Sequence, residues 1–294
     1  MRFMAFRGTR GRGLAAVVEG QRDHRGMTED DAGFPGHLDT LIAAGPEALR
    51  AAYGRLRQGE AVDEAAVEVL PPLARPGKII CVGLNYADHS AESGFKQPDY
   101  PTLFGRFTTS MIGHGAAMIR PLVSQQLDYE GEVVAVVGRT GRHIAKAAAL
   151  GHVAGYTICN EGSVRDYQFK APQWTMGKNF DGTGAFGPVF VTADELPPGC
   201  KGLRLQTRLN GEVVQDASTS DMVFDVETLV SIISEAITLE AGDLIVTGTP
   251  SGVGLARKPP LWMKPGDVCE VEVERLGILR NPIADEAASL QSAA

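Results

Sequence analysis

Two glutamates stand two residues apart, Glu130 and Glu132, at the head of the apolar segment LDYEGEVVAVVG. Side chains alternate along a β-strand, so a strand here places both carboxylates on one face. Like charges this close repel each other, and the apolar run that follows indicates that the strand enters a core. A hard divalent cation such as Mg²⁺ would compensate both charges. The spacing therefore indicates a candidate metal site, and a solvated strand edge is the competing interpretation.

A third acidic residue, Glu161, follows another apolar stretch in YTICNEGSVRDYQ and could complete a three-carboxylate site. Three carboxylates leave about half of an octahedron open for waters or for a chelating substrate. Asp128 and Asp166 are alternative ligands close by in the sequence. The competing interpretation of Glu161 is a turn residue without a ligand role, and spacing alone does not separate the two.

His89 and Glu92 stand three residues apart in GLNYADHSAESG. If this stretch forms one helical turn, both side chains share a face, and the glutamate can orient the imidazole as a general base. A surface turn with an unrelated histidine is the competing interpretation. The segment that follows, SGFKQPDYP, predicts a flexible loop that could act as a lid over a site.

Lys178 and Thr249 are the remaining candidates from local context. Lys178 follows aromatic residues in QWTMGKNF and could stabilise a developing oxyanion, although a solvated lysine also fits. Thr249 lies in TGTPSGVG, residues 247–254, a segment that lacks the sequence order of nucleotide phosphate loops. Thr249 and its neighbouring amides could instead hold a small carboxylate, and a structural turn is the alternative.

The composition narrows the function classes. The chain has 294 residues, is 44% hydrophobic and 22% charged, and is therefore typical of a globular protein. Its net charge of −8 argues against nucleic acid or an anionic membrane as a partner. We expect a cytoplasmic protein, because no apolar run is long enough to span a bilayer and the start, MRFMAFRGTRGRG, lacks the apolar region of a secretory signal. The cysteines form no CxxC pair, which argues against a zinc ribbon.

Residues 1–72 are predicted to form a small α+β domain. MRFMAF and LAAVVEG are typical of short strands, and HLDTLIAAGPEALRAAYGRL predicts a helical stretch broken at Gly45 and Pro46. The Pro-rich segment 71–78 predicts a linker.

Strand patterns dominate the rest of the chain, residues 73–294, where only HIAKAAALGHVAG and VETLVSIISEAIT predict helices. Asn210-Gly211 between alternating runs predicts a hairpin turn. The fold class expected is a β-rich α+β protein whose catalytic domain is a rolled, mixed sheet.

Together these segments resemble the fumarylacetoacetate hydrolase family from about Lys78 to Pro282. The pieces that carry the resemblance follow in one order: GLNYADHSAES, DYEGE, NEGSVRDYQ, QWTMGKNFD, LNGEVVQ and GDLIVTGTPSGVG. The resemblance, which extends to members of the acylpyruvate hydrolase and 2-hydroxyhepta-2,4-diene-1,7-dioate isomerase types, implies a mixed β-roll (the FAH fold) with Mg²⁺ or Mn²⁺. It also implies homodimers, sometimes paired further, and small 2-oxo acid substrates, often diketo acids from aromatic-ring degradation.

Position by position, the resemblance assigns roles to residues of this chain. These are the metal ligands Glu130, Glu132 and Glu161, the lid dyad His89 and Glu92, the lysine Lys178, and the substrate-binding residues Gln168 and Thr249.

The sequence departs from the family pattern at two positions. Glu161 stands where Asp is usual, and the additional methylene moves its carboxylate outward by roughly 1.5 Å. Arg106 stands where Lys is frequent, which predicts a bidentate contact with a substrate carboxylate, as in a dicarboxylate.

The activity that the resemblance implies is hydrolysis of a C–C bond in a 2,4-diketo acid such as an acylpyruvate or fumarylpyruvate. In this mechanism His89, oriented by Glu92, deprotonates a water that attacks the distal carbonyl, and Lys178 stabilises the alkoxide. The C–C bond then breaks and pyruvate leaves as its enolate, which the cation stabilises as a Lewis acid. Decarboxylation of an oxaloacetate-like acid and isomerisation of a 2-hydroxymuconate-type diene stay open on the same site. A non-catalytic metabolite-binding protein is the alternative of another class.

Overall fold

The structure is a computed structural model that describes residues 1–18, 24–92, 94 and 96–287. Its strands are β1 Arg2–Gly8, β2 Gly11–Val17, β3 His24–Thr28, β4 Glu60–Val62, β5 Glu68–Val69, β6 Ile79–Gly83, β7 Thr102–Gly105, β8 Met111–Ile112, β9 Met118–Arg120, β10 Leu127–Asp128, β11 Gly131–Val137, β12 Val153–Asn160, β13 Ser163–Val164, β14 Gly184–Thr192, β15 Arg204–Leu209, β16 Glu212–Ser218, β17 Leu244–Val246, β18 Val268–Val273 and β19 Gly277–Asp285. The α-helices are α1 Leu38–Ala44, α2 Pro46–Leu56, α3 Ala87–Glu92, α4 Arg165–Gln168, α5 Thr175–Lys178 and α6 Val226–Ala236. Short 3₁₀ helices cover Glu64–Ala66, Thr108–Ser110, Lys146–His152, Ala193–Glu195, Pro198–Cys200, Thr219–Asp221 and Gly254–Ala256.

The described strands form two large sheets and one small pair. Twelve strands make a mixed sheet along the path β4-β3-β2-β1-β14-β12-β11-β17-β6-β7, with β5 beside β1 and β8 beside β14. Five strands make the second sheet in the order β16-β15-β18-β19-β9, and β10 pairs with β13. The parallel pairs are β17 with β6, β8 with β14, and β9 with β19. The predicted β-rich α+β fold class is confirmed.

Strand β11 lies in the interior of the larger sheet, and all seven of its residues are buried. Val133, Ala135 and Val137 pack into the core shared with the five-stranded sheet, whereas Val134 and Val136 pack into the core beneath α1 and α2. Burial on both faces explains why this segment is continuously apolar rather than alternating. The apolar run behind Glu132 therefore belongs to a core strand, as its sequence predicts.

The N-terminal segment joins the same large sheet through β1, which pairs with β14 at Phe3 and Phe190. The predicted break between its helices is confirmed, because Gly45 has a φ of +93° and separates α1 from α2. Segment 71–78 contains no regular helix or strand, as expected of a linker. The division into domains 1–72 and 73–294 stays a prediction.

Two further predictions about elements have opposite outcomes. Asn210 and Gly211 both have positive φ and join β15 to β16, which confirms the predicted hairpin. The α-helix predicted for HIAKAAALGHVAG is wrong, because Lys146–His152 is a 3₁₀ helix and Val153 already begins β12. Pairing of β12 with β11 and β14 takes the end of this segment, and the remaining Ala-rich stretch is too short to sustain an α-helix. Of the helices in the described ranges, none is long and apolar enough to cross a membrane.

Candidate active site

Three glutamates converge where the start of β11 lies beside the end of β12. Glu132 stands opposite Cys159 in this antiparallel pair, and the backbone N–H of Glu161 donates to the carbonyl of Glu130 at 2.8 Å. One carboxylate oxygen from each of Glu130, Glu132 and Glu161 lies within 4.8 Å of the others. Each of these residues is at most 3% exposed. The structure thus brings together the three carboxylates that the sequence predicts.

Burial and charge act differently on these carboxylates. Burial raises the pKa of Glu132 well above its usual value, and the charges of Glu161 and Glu130 raise it further. Burial also acts to raise the pKa of Glu130, but Arg165 and Lys178 outweigh burial and hold that pKa below its usual range. The Nζ of Lys178 contacts Glu130 and lies 2.9 Å from Glu161 Oε2. Burial acts to lower the pKa of Lys178, but the charges of Glu130 and Glu161 outweigh burial, and the pKa is raised above its usual value.

The donor set fits a hard divalent cation. Glu161 Oε1 is buried and accepts no hydrogen bond from any residue in the described ranges. A buried oxygen without a partner is costly, and a bound cation would satisfy it. Ligands that are all carboxylate oxygens suit Mg²⁺ or Mn²⁺. Glu130, Glu132 and Glu161 are therefore the residues that would hold the metal.

The two alternative ligands, Asp128 and Asp166, do not join the cluster of carboxylates. Asp128 forms an ion pair with Arg165 at 2.8 Å and accepts the backbone N–H groups of Gly254 and Leu255. Asp166 accepts a hydrogen bond from Ser124 at 2.6 Å and lies outside the carboxylate cluster. Asp128 thus anchors a loop, whereas Asp166 fixes a turn.

The buried charge of Lys178 should stabilise the metal-free protein. Changing Lys178 to methionine removes a buried cation from Glu130 and Glu161 and should lower the free energy of unfolding of the metal-free protein by roughly 3–5 kcal/mol. Added Mn²⁺ should restore more stability to this variant than to the native protein, because the cation compensates the same carboxylates. Thermal unfolding with and without Mn²⁺ measures both effects. Lys146→Met, at an exposed lysine beside Asp225, is the matched control, and equal Mn²⁺ responses in all three proteins would contradict the prediction.

His89 and Glu92 form the predicted pair on α3. The imidazole Nδ1 lies 3.0 Å from Glu92 Oε1, and both oxygens of Glu92 accept the backbone N–H of Gly252, at 2.9 and 3.0 Å. Because Nδ1 is engaged by Glu92, Nε2 is the ring nitrogen left for a substrate or a water. The lid predicted after this helix includes Ser93 and Phe95, which lie outside the described residues, so the lid stays a prediction.

One narrow cavity of about 30 Å³ joins these groups. Its lining comprises Val82, Gly83, Leu84, His89, Glu130, Glu132, Glu161, Arg165, Gln168, Phe169, Trp174, Lys178, Thr249 and Leu255. The predicted substrate residues Gln168 and Thr249 are therefore brought to the same space as the carboxylates and the imidazole. The volume holds about one or two water molecules, so any substrate that enters must be small or must widen the cavity.

Two predicted site residues do not line the cavity: Glu92, which contacts it through His89, and Arg106. The Arg106 guanidinium donates to Ser110 Oγ, to the Gly162 carbonyl and to Thr183 Oγ1, each at 3.0–3.1 Å. The side chain is buried. Contact with a substrate carboxylate would require it to leave these partners, and its assigned role stays a prediction.

Sequence reasoning missed Arg165, which is buried and pairs with both Asp128 and Glu130 at 2.8 Å. Its Nη1 also donates to Gln168 Oε1 at 2.9 Å within the single turn of α4. The i, i+3 spacing of Arg165 and Gln168 is the signal that could have indicated it. Arg165 thereby contacts the carboxylate of a candidate metal ligand, Glu130, and the cavity amide of Gln168 together.

The loop that carries Thr249 is held by the carboxylates of Glu132 and Glu92. Gly248 N–H donates to Glu132, Gly252 N–H donates to Glu92, and the Thr249 hydroxyl donates to the Gly131 carbonyl at 3.0 Å. Two backbone amides near Thr249 therefore already hold carboxylates of the protein itself. The loop joins the candidate base to the candidate metal ligands.

The chain is similar in sequence and in structure to several known proteins. The family described as "Fumarylacetoacetate (FAA) hydrolase C-terminal" matches residues 78–284. The mitochondrial oxaloacetate tautomerase Fahd2a of Rattus norvegicus is 38% identical over 255 residues, which are 86% of this chain and 81% of that protein. The solved fumarylacetoacetate hydrolase of Exiguobacterium antarcticum is 34% identical with a TM-score of 0.83, covering 97% of this chain and all of its own. The 2-hydroxyhepta-2,4-diene-1,7-dioate isomerase of Mycobacterium marinum is 30% identical with a TM-score of 0.75, covering 98% and 99%.

The chain belongs to the fumarylacetoacetate hydrolase family, and it is an enzyme of that family with the FAH fold. The resemblance predicted from the sequence is confirmed. These relatives carry the names of a tautomerase, a hydrolase and an isomerase, so membership alone does not choose the reaction. The rat relative is mitochondrial by name, and the cytoplasmic location expected here stays a prediction.

Proposed function

We propose that this enzyme interconverts the keto and enol forms of a small 2-oxo acid, with oxaloacetate as the first substrate to test. The observation that carries the proposal is the placement of His89 in the same narrow cavity as Glu130, Glu132 and Glu161. Proton transfer at the carbon next to a ketone needs a base beside a polarised carbonyl. The likeness to the rat oxaloacetate tautomerase supports oxaloacetate.

Each residue has a role in this reaction. The three glutamates would hold Mg²⁺ or Mn²⁺, and the bound cation supplies Lewis-acid polarisation of the 2-oxo group. His89 Nε2 takes a proton from the carbon next to the ketone, and the Glu92 carboxylate stabilises the imidazolium that forms. Lys178 stabilises the negative charge that develops on the ketone oxygen. Transfer of a proton to that oxygen gives the enol, so no atom is lost or gained overall.

The walls of the cavity support a reaction without added water. Leu84, Phe169 and Trp174 line it together with the charged groups, and its volume is about 30 Å³. A small, partly apolar space excludes bulk water and strengthens charge interactions within it. Under these conditions the proton held by His89 returns to the substrate rather than to solvent.

Hydrolysis of a C–C bond in an acylpyruvate, as in aromatic-ring degradation, is the second candidate. An uncharged acyl tail would lie against the apolar side chains of Phe169 and Trp174 once the substrate widens the cavity, and Arg106 is engaged elsewhere. In this reaction His89 deprotonates a water, the hydroxide attacks the distal carbonyl, and the chain breaks into pyruvate and a second acid. Arg165, the other basic side chain that lines the cavity together with Lys178 and His89, already pairs with Asp128 and Glu130 rather than facing a distal carboxylate of oxaloacetate.

We also propose a homodimer as the working assembly. Phe107 and Met176 are 60% and 64% exposed, and Phe107 N–H is bonded to Asn179, the residue that follows α5. A contiguous patch of exposed apolar side chains is typical of an interface, and we assign Phe107 and Met176 to such a patch. Light scattering after gel filtration tests the proposal, and a monomer at micromolar concentration would overturn it.

Turnover of oxaloacetate, acetylpyruvate and fumarylpyruvate, each with Mg²⁺, with Mn²⁺ and with EDTA, separates the candidates. A tautomerase accelerates relaxation of the enol absorbance of oxaloacetate without releasing CO₂. A hydrolase instead yields pyruvate and a second acid in equal amounts. Release of CO₂ from oxaloacetate would replace both candidates with a decarboxylase, and activity that persists in EDTA would overturn the role given to the cation.

A further inference from the structure

We propose that Gln215 is a positioning residue that fixes the segment Glu130–Glu132 and makes the Thr249 hydroxyl available to substrate. The inference rests on the proposed function, because it assumes that Thr249 binds the carboxylate of a 2-oxo acid. Gln215 lies on β16, in the five-stranded sheet, and not in the sheet that carries the glutamates. It is therefore a contribution of the second sheet to the site.

The Gln215 side chain is 2% exposed and uses every hydrogen-bonding position of its amide. Its Oε1 accepts from Gly131 N–H at 3.0 Å and from Thr207 Oγ1 at 2.7 Å. Its Nε2 donates to Thr249 Oγ1 at 2.8 Å and to the Pro250 carbonyl at 2.9 Å. A primary amide has two donors and two acceptor positions, so the side chain is held in one orientation.

These contacts close a ring around Gly131, the residue between the two glutamates. Gly131 N–H donates to Gln215, Gln215 donates to the Thr249 hydroxyl, and that hydroxyl donates to the Gly131 carbonyl at 3.0 Å. Gly131 packs closely against β15, because a Cβ at this position would lie 2.2 Å from Thr207 Oγ1. The ring therefore fixes the backbone positions from which the side chains of Glu130 and Glu132 extend.

The same ring determines what Thr249 can do. A hydroxyl has a single hydrogen to donate, and here that hydrogen is directed to the Gly131 carbonyl. A substrate carboxylate can receive it only if the hydroxyl rotates about its Cβ–Oγ bond. The donation from Gln215 holds the oxygen in place during that rotation and polarises the hydroxyl, which strengthens its new hydrogen bond. Thr249 thus changes partner without moving its oxygen.

A purely structural role for Gln215, joining the two sheets, predicts different measurements. In that case replacement would lower the melting temperature but leave the folded molecules with native metal affinity and native KM. A positioning role changes both properties in molecules that remain folded. Mn²⁺ affinity is the decisive readout, since it needs no substrate and is independent of which reaction the enzyme catalyses.

The experiment compares Gln215→Met with Gln206→Met by calorimetric titration of Mn²⁺ and by steady-state kinetics. Gln206 lies on the neighbouring β15 and donates to Asp216 near the surface, so its variant should behave as native. We expect Gln215→Met to weaken Mn²⁺ binding by about 10- to 100-fold, the range typical for residues that orient metal ligands. KM should rise by about 10-fold or more while kcat changes less. In the double variant Gln215→Met with Thr249→Val, KM should rise by less than the product of the two single increases, because the two residues act through one hydrogen bond.

Native Mn²⁺ affinity in folded Gln215→Met would overturn the proposal, even if its melting temperature falls. If that variant does not fold, Thr207→Val removes the hydroxyl that donates to Gln215 Oε1 at nearly constant volume. Weaker Mn²⁺ binding in Thr207→Val supports the proposal, and native binding overturns it. Weaker binding in a protein inactive on every substrate of the panel would leave Gln215 as a positioning residue and reject the proposed reaction instead.

Discussion

Replacing His89 with alanine should lower kcat by about 10²- to 10⁴-fold, which is the usual contribution of a general base. The imidazole lines the cavity beside the carboxylate triad, and Glu92 lies 3.0 Å from its Nδ1. Both the tautomerase and the hydrolase candidates lose their proton acceptor in this variant. Mn²⁺ affinity should stay within about threefold of native, because no ligand of the triad is altered.

His37→Ala is the matched control for this variant. His37 also lies near a glutamate, Glu29, at 3.2 Å, but it belongs to the N-terminal segment and does not line the cavity. Native kinetics in the control together with a large loss in His89→Ala would support the assignment. Turnover of His89→Ala at the native rate would remove His89 from the mechanism altogether.

Replacing Glu161 with alanine should weaken Mn²⁺ binding by at least about 100-fold, more than the loss typical for a residue that only orients a ligand. Glu161 contributes one of the three clustered carboxylates, and its Oε1 has no other partner among the described residues. Turnover should fall in parallel at low metal concentration and recover in part at high concentration. Calorimetric titration and a metal-dependence curve measure these two effects.

Asp166→Ala provides the control, because Asp166 lies five positions further along the same segment yet bonds to Ser124 instead of joining the cluster. Glu161→Asp tests side-chain length, since it keeps the carboxylate and removes one methylene. Native metal affinity in Glu161→Ala would show that this carboxylate is not a ligand. Equal losses in Glu161→Ala and Asp166→Ala would point to disrupted folding of the segment.

The sequence pattern was sufficient to predict those contacts of the fold and the site that join residues close together in the chain. The two-residue spacing of Glu130 and Glu132 puts both carboxylates in one cluster, and Asn210-Gly211 produces its hairpin. His89 and Glu92 meet because three residues span one helical turn. In each case the partner lies within a few residues, so chain geometry alone determines the contact.

Contacts between distant segments could not be predicted in the same way. Gln215 reaches Gly131 across 84 positions, and nothing in the sequence LNGEVVQ indicates which strand its amide will meet. Arg106 was expected at a substrate because of its charge, yet Gly162 and Thr183 supply partners that only the folded chain brings near. The Ala-rich stretch before β12 was expected to be an α-helix, and strand pairing overrode that propensity.

Strand β1 closes one side of β14, whose nine residues are all buried. A shortened chain without β1 would leave part of β14 as an apolar edge with unpaired N–H and C=O groups. Such an edge readily adds strands from other molecules and so promotes aggregation. The N-terminal segment supplies no side chain of the carboxylate triad or of the His89–Glu92 pair, but it covers this edge. We therefore expect a truncated chain without β1 to aggregate even though every one of those side chains is still present.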